Sequence, residues 1–163
     1  MLKLEDVGSD TKIENCELTA ENDFCYAIFT NSSKTVSDGS RVYIEHSTLK
    51  ATRGYALSLT TNSKLIAKDS KFIRNGDYGS SDFGATNLKD GICVFENCEF
   101  VSNNFAIEFS DGQGEGYSGH ITTSLNNCKY FIGETVQENI LIYNVWKGTD
   151  FKFSCNTPCS NLE

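Results

Sequence analysis

A six-residue phrase recurs five times along this chain and constrains its fold more than any other feature. Each copy reads apolar, polar, Asn-like, small, polar, apolar, and neighbouring copies lie 23 to 31 residues apart. The copies occupy residues 13–18, 44–49, 67–72, 95–100 and 125–130. Self-similarity at a fixed period is typical of architectures in which each repeat stacks on its neighbours.

Apolar or small residues alternate with polar ones through each copy, as expected for a strand buried on one face. One extra residue interrupts the alternation, and in every copy it is Asn, Asp or His. These residues are Asn15, His46, Asp69, Asn97 and Asn127. Asn, Asp and His are the non-glycine residues most enriched at positive φ. The pattern therefore predicts a left-handed corner between two strands, with an ordinary solvated surface residue as the alternative.

The repeat predicts an all-β fold, a right-handed single-stranded parallel β-helix of about five coils, in which like residues stack above one another. An antiparallel sandwich also has short strands and many turns, but it gives no reason for like residues to recur in register. We expect a lead-in at residues 1–10, the β-helix at residues 11–143, and a final partial coil or cap at residues 144–163. Strand formers support this, since Val, Ile, Thr, Phe, Tyr and Trp number 51 against 19 Ala, Leu and Met.

The phrases IENCEL and FENCEF, with the following YAIF and YALS, resemble the pectate-lyase-like parallel β-helix superfamily over roughly residues 11–143. That superfamily includes lyases, hydrolases, viral tailspikes and adhesins, so the resemblance implies an architecture and leaves the chemistry open. The resemblance implies Asp-bound calcium with an Arg or Lys base for a lyase, and Asp pairs with a GHG phrase for a hydrolase. His46 and His120 lie outside any GHG phrase.

Charge and hydrophobicity exclude several partners. The net charge is −8, which disfavours a surface that follows phosphates, so we expect no nucleic acid. The longest apolar stretch, Phe24–Phe29, is far shorter than a bilayer requires, so we expect no membrane insertion. The first ten residues lack the apolar region of a signal peptide.

Seven cysteines are many for this length, but their positions argue against a disulfide framework. Cys16, Cys98 and Cys128 share the small inward column of the repeat. Cys155 and Cys159 form a CxxxC that is free to bridge or to bind metal, yet no second ligand pair completes a zinc set. The glycine-rich loop at residues 111–116 has a Thr, rather than a Glu, at the twelfth position of a calcium loop. The sequence thus predicts no metal site and no cofactor.

Two loops and one strand row supply the candidate site residues. Tyr78, Asp82, Asp111 and Tyr117 lie in loops and suit a saccharide, whose rings stack on aromatics and whose hydroxyls bond carboxylates; ordinary turn chemistry is the alternative.

Glu45 and Glu96 occupy equivalent outward positions and are the candidate catalytic carboxylates. Lys68 lies between them on the intervening coil, so cross-strand ion pairing explains the same row without catalysis.

We therefore expect a non-catalytic structural or adhesive module of a virion appendage or surface protein, located on the virion or outside the cell. Its expected partners are further copies of itself, for instance in a trimer, or a larger parent assembly, together with a polysaccharide. The alternative is a polysaccharide lyase or glycoside hydrolase that uses the outward face of the coil.

Overall fold

A computed structural model describes residues 1–5, 10–21, 26–31, 41–60, 63–76, 84–110, 120–144 and 150–162. Every regular element in these ranges is a strand. They contain no helix long and apolar enough to cross a membrane.

The strands are short and follow one another through each repeat. They are β1 (Leu2–Glu5), β2 (Thr11–Glu14), β3 (Glu17–Ala20), β4 (Ile28–Asn31), β5 (Arg41–Glu45), β6 (Thr48–Ala51), β7 (Leu57–Leu59), β8 (Lys64–Lys68), β9 (Lys71–Arg74), β10 (Thr86–Leu88), β11 (Gly91–Glu96), β12 (Glu99–Val101), β13 (Ile107–Phe109), β14 (His120–Asn126), β15 (Lys129–Ile132), β16 (Thr135–Val136), β17 (Ile140–Asn144), β18 (Asp150–Cys155) and β19 (Cys159–Leu162).

Three sheets form the sides of a coil. Sheet A has the order β1-β4-β7-β10-β13-β17-β19, sheet B the order β18-β14-β11-β8-β5-β2, and sheet C the order β16-β15-β12-β9-β6-β3. Every pairing within them is parallel except that of β15 with β16. The predicted stacked parallel coil is confirmed and the antiparallel sandwich is wrong. The right-handedness of the coil stays a prediction.

The residue at each corner between sheets B and C adopts the left-handed backbone conformation, as the Asn-like column predicts. All five corner residues have φ between 47° and 54°. Each of the first four donates its backbone N–H to a carbonyl of the next coil, as Asn97 does to Asn126 at 2.8 Å. The corner therefore turns the chain while its amide still joins neighbouring coils.

Inward columns build one continuous core. Phe72, Phe95 and Phe100 are fully buried, with ring centroids 5.1 to 5.6 Å apart. A small residue follows each corner, and its hydroxyl or thiol donates a hydrogen bond to a backbone carbonyl. Ser47 Oγ, for example, accepts the Cys16 N–H at 3.2 Å and donates to the Glu45 carbonyl at 2.8 Å.

The two ends of the chain add strands to the same stack. β1 pairs with β4 below the first coil, and β18 and β19 continue sheets B and A beyond β14 and β17. Cys155 and Cys159 form a disulfide. Cys98 and Cys128 are buried in the small column, while Cys16, in the first coil, is exposed.

Candidate functional site

The two predicted catalytic carboxylates, Glu45 and Glu96, lie in one outward row on sheet B, and Lys68 occupies the position between them. Glu45, Lys68 and Glu96 are direct neighbours on β5, β8 and β11. Two strand spacings put the two glutamates about 10 Å apart. Lys68 Nζ lies 2.8 Å from Glu96 Oε2, whereas Glu45 Oε2 lies 3.0 Å from Lys12 Nζ on β2.

Both carboxylates are thus balanced by an ammonium. The side-chain hydrogen bond to Glu45 is the main cause that raises the pKa of Lys12, and the bond to Glu96 does the same for the pKa of Lys68. Each lysine therefore stays charged and keeps its carboxylate in an ion pair. This arrangement agrees with the cross-strand pairing interpretation of the row.

The four loop residues predicted to bind a saccharide, Tyr78, Asp82, Asp111 and Tyr117, lie outside the described residues. The structure draws attention instead to the outer face of sheet A, where the second phrase of each repeat runs. There Tyr26, Tyr55, Phe105, Glu108 and Tyr143 form what we call the sheet-A cluster.

Repeat register builds the sheet-A cluster. In three coils an aromatic residue, Tyr26, Tyr55 or Phe105, precedes a buried alanine. Tyr26 stacks on Tyr55 with ring centroids 6.1 Å apart. The equivalent position in the next coil is Gly84, and a Cβ there would lie 2.4 Å from the Phe105 ring. Phe105 in turn packs against Tyr143, with ring centroids 5.3 Å apart. Glycine therefore makes the space into which a ring from the following coil folds.

One carboxylate lies among these rings. The Tyr55 hydroxyl donates a hydrogen bond to Glu108 Oε2. Burial is the largest cause that raises the pKa of Tyr55 far above its ordinary value; the Glu108 charge adds to it, and the nearby Arg74 charge opposes it. Tyr55 therefore stays protonated and holds the Glu108 carboxylate as an oriented acceptor.

A polar row lies beside the rings. Ser58, Asn87 and Glu108 are neighbours on β7, β10 and β13. Asn87 is 1% exposed, and its Nδ2 donates to Ser110 Oγ at 3.0 Å. Among the residues that the structure describes, its Oδ1 is a buried acceptor without a hydrogen-bond partner. Sheet A thus combines aromatic rings, a carboxylate and an amide on one face.

Sequence reasoning identified the second phrase as a strand and missed its aromatic positions as a site. The signal was available, since Tyr26, Tyr55 and Phe105 each precede an alanine of the repeat. The contact between Glu108 and Tyr55 could not be predicted, because the two residues are 53 positions apart in the sequence and belong to coils that are not direct neighbours.

A second group missed by the sequence lies at the first sheet B corner. Ligand atoms of Glu14, Glu45 and His46 all lie within 4.8 Å of one another. This is the set of three metal-ligating side chains found within the described ranges. The signal was the shared column of Glu14 and Glu45 together with the corner position of His46.

No protein family, curated protein or solved structure matches the chain.

Proposed function

We propose that this chain is a non-catalytic β-solenoid module that binds a polysaccharide through the sheet-A cluster. The carrying observation is that Tyr55 holds the Glu108 carboxylate in place, that the half-buried Tyr26 stacks on Tyr55, and that the half-buried Tyr143 is the strand neighbour of Glu108. Rigid aromatic surface with a few oriented polar groups is how ligand sites combine contact area with specificity. Sugar rings supply both matching features, since they have apolar faces and many hydroxyl donors.

A rigid scaffold supports adhesion because its strands hold these groups on neighbouring coils. Hydrogen bonds between coils fix Tyr26 relative to Tyr55, as in the Ile28 N–H bond to the Ala56 carbonyl at 3.1 Å. A site that is already ordered loses less entropy when a ligand binds. The finer proposal, a part of a virion appendage or surface protein, rests on the resemblance to tailspike and adhesin β-helices.

The charges on sheet B favour binding over catalysis. A retaining glycosidase needs two carboxyl groups about 5 to 5.5 Å apart, and an inverting one about 6.5 to 9.5 Å. Glu45 and Glu96 lie two strands apart, and each is paired with a lysine. A polysaccharide lyase or hydrolase is the competing function, and product assays distinguish it.

The test is affinity electrophoresis of the full chain through gels that contain a panel of acidic and neutral polysaccharides. We expect at least one polysaccharide to retard the chain, and Tyr26→Ala to abolish the retardation. Tyr43→Ala is the matched control, because Tyr43 is a half-buried tyrosine on the outer face of sheet B.

Retardation that is lost in Tyr26→Ala and kept in Tyr43→Ala would support the proposal. Equal effects of the two variants, or no retardation across the panel, would contradict it. Release of reducing ends or unsaturated products from the same polysaccharides would favour the enzyme instead.

Self-association is a separate part of the proposal. Closed cyclic symmetry is the usual form of homo-oligomers. Sedimentation equilibrium of the full chain should give a mass three times 18.1 kDa if it forms the expected trimer. A monomer mass at every concentration would remove the trimer and leave the saccharide site standing.

A further inference from the structure

We infer that Glu14, Glu45 and His46 form a binding site for a divalent transition-metal ion such as Zn²⁺, with Lys12 as its built-in competitor. The inference is independent of the proposed saccharide site, which lies on a different sheet.

Strand register brings the two carboxylates together. Glu14 and Glu45 are direct partners in the parallel pairing of β2 with β5, so both side chains extend from the same outward row. Neighbouring parallel strands lie about 4.8 Å apart. Two glutamates at that spacing repel each other unless a cation lies between them.

The corner adds the nitrogen ligand. His46 follows Glu45 directly and has φ 48°, so the chain turns at this residue and the imidazole lies beside the two carboxylates. All three ligand atoms lie within 4.8 Å of one another. Asp69, at the corner of the next coil, places Oδ2 3.8 Å from His46 Nε2 and adds negative charge beside the imidazole.

A cation already lies between the carboxylates. Lys12 Nζ is 3.3 Å from Glu14 Oε2 and 3.0 Å from Glu45 Oε2. Because the same ammonium contacts both groups, it marks the point where their fields add. A metal ion at this point would displace the ammonium. It would also form a coordination bond to the imidazole nitrogen of His46, which an ammonium cannot do.

The donor set selects the class of metal. Calcium and magnesium prefer oxygen ligands alone, whereas zinc and its first-row neighbours accept a mixture of carboxylate and imidazole. Zinc bonds of about 2.0 to 2.2 Å put tetrahedral ligand atoms about 3.4 Å apart. The side chains of Glu14 and His46 are 43% and 57% exposed, so small rotations can close the remaining distance at little packing cost. Three protein ligands leave a fourth position for water or for a partner.

The experiment uses the full chain carrying Cys16→Ser, which removes the exposed thiol near the site; serine fills the same column at Ser47 and Ser70. Co²⁺ is titrated while its visible absorption is followed, and Zn²⁺ is then used to displace it. We expect saturable binding with the bands of a low-coordinate cobalt ion.

Variants locate the site. His46→Asn is compatible with the corner, because asparagine has φ 52° to 54° at three of the other corners. We expect this variant to weaken binding at least tenfold, and Glu45→Gln to do the same without any change at the corner. Lys12→Met should tighten binding about two- to fivefold, since an exposed ion pair contributes little and its loss frees both carboxylates. His120→Asn, at the exposed second histidine, is the control and should bind as the parent does.

Absence of saturable binding would overturn the inference. Unchanged affinity in both His46→Asn and Glu45→Gln would also overturn it, by showing that the metal binds elsewhere on the chain. Weaker binding in Lys12→Met would show that the lysine supports the metal rather than competes with it, which contradicts the proposed displacement.

Discussion

Replacing Asn97 with valine should destabilise the fold by about 2 kcal/mol, because the corner requires a backbone conformation that valine resists. Asn97 has φ 53° and joins sheet B to sheet C in the fourth copy of the repeat. A left-handed conformation costs an ordinary L-residue about 1 to 2 kcal/mol, and β-branched residues are the least compatible with it. Valine also loses the hydrogen bond from Asn97 Nδ2 to Asp69 Oδ1, which is 3.1 Å long and exposed, and contributes about 0.5 kcal/mol.

Glycine at the same position separates the two causes. Asn97→Gly loses the side-chain bond but adopts positive φ freely, so the remaining cost is about 0.5 to 1 kcal/mol of unfolded-state entropy. Thr122→Val is the matched control, since Thr122 is a half-buried outward residue in the middle of β14. We expect that variant to lie within about 0.5 kcal/mol of the parent.

Urea unfolding followed by far-UV circular dichroism measures the free energy of unfolding, and thermal unfolding gives a second estimate. At about 2 to 4 °C per kcal/mol for a chain of this size, Asn97→Val should melt about 4 to 8 °C below the parent. If valine costs no more than glycine at this corner, the steric argument for the Asn-like column is wrong.

Three further predictions concern the core, the sheet-A cluster and the thiols. Phe100→Ala should lower the free energy of unfolding by about 3 to 5 kcal/mol in urea, because a fully buried ring leaves a cavity; a loss below about 1 kcal/mol would refute close packing there. The raised pKa of Tyr55 means that the folded state resists its ionisation, so stability should fall as pH rises above about 10, where the unfolded tyrosine titrates. Urea unfolding of Tyr55→Phe should show a shallower fall over that range, and an identical slope would count against the assignment. Iodoacetamide should label the exposed Cys16 well before the buried Cys93, whose pKa burial raises; mass spectrometry of the native chain that finds the reverse order would contradict the burial.

Local chemistry explains why so much of the coil could be predicted. Stacking places residue i of one coil on its counterpart in the next, so a column such as Ile13, Ile44 and Ala67 is visible in the sequence itself. The left-handed corner was visible for a similar reason, since only a few residue types tolerate positive φ. The corner depends on the backbone of a single residue, and the columns depend only on the period of the repeat, which the sequence records.

Which lysine forms an ion pair with which glutamate on sheet B could not be predicted in the same way. The row Glu45, Lys68 and Glu96 allows the lysine to pair in either direction, and the structure pairs it with Glu96 while Lys12 takes Glu45. Long side chains reach several neighbours at similar energy, so the choice depends on the local packing of the whole face.

By itself, the sequence determined the repeat, the parallel stack, the corners and the inward columns, because these depend on backbone preferences and on a period that the letters record. Only the tertiary structure decided that Glu108 meets Tyr55 and that His46 joins Glu14 and Glu45. Such contacts depend on the path that the chain takes between strands and on side-chain directions at a corner, and neither can be read from the spacing of the repeat.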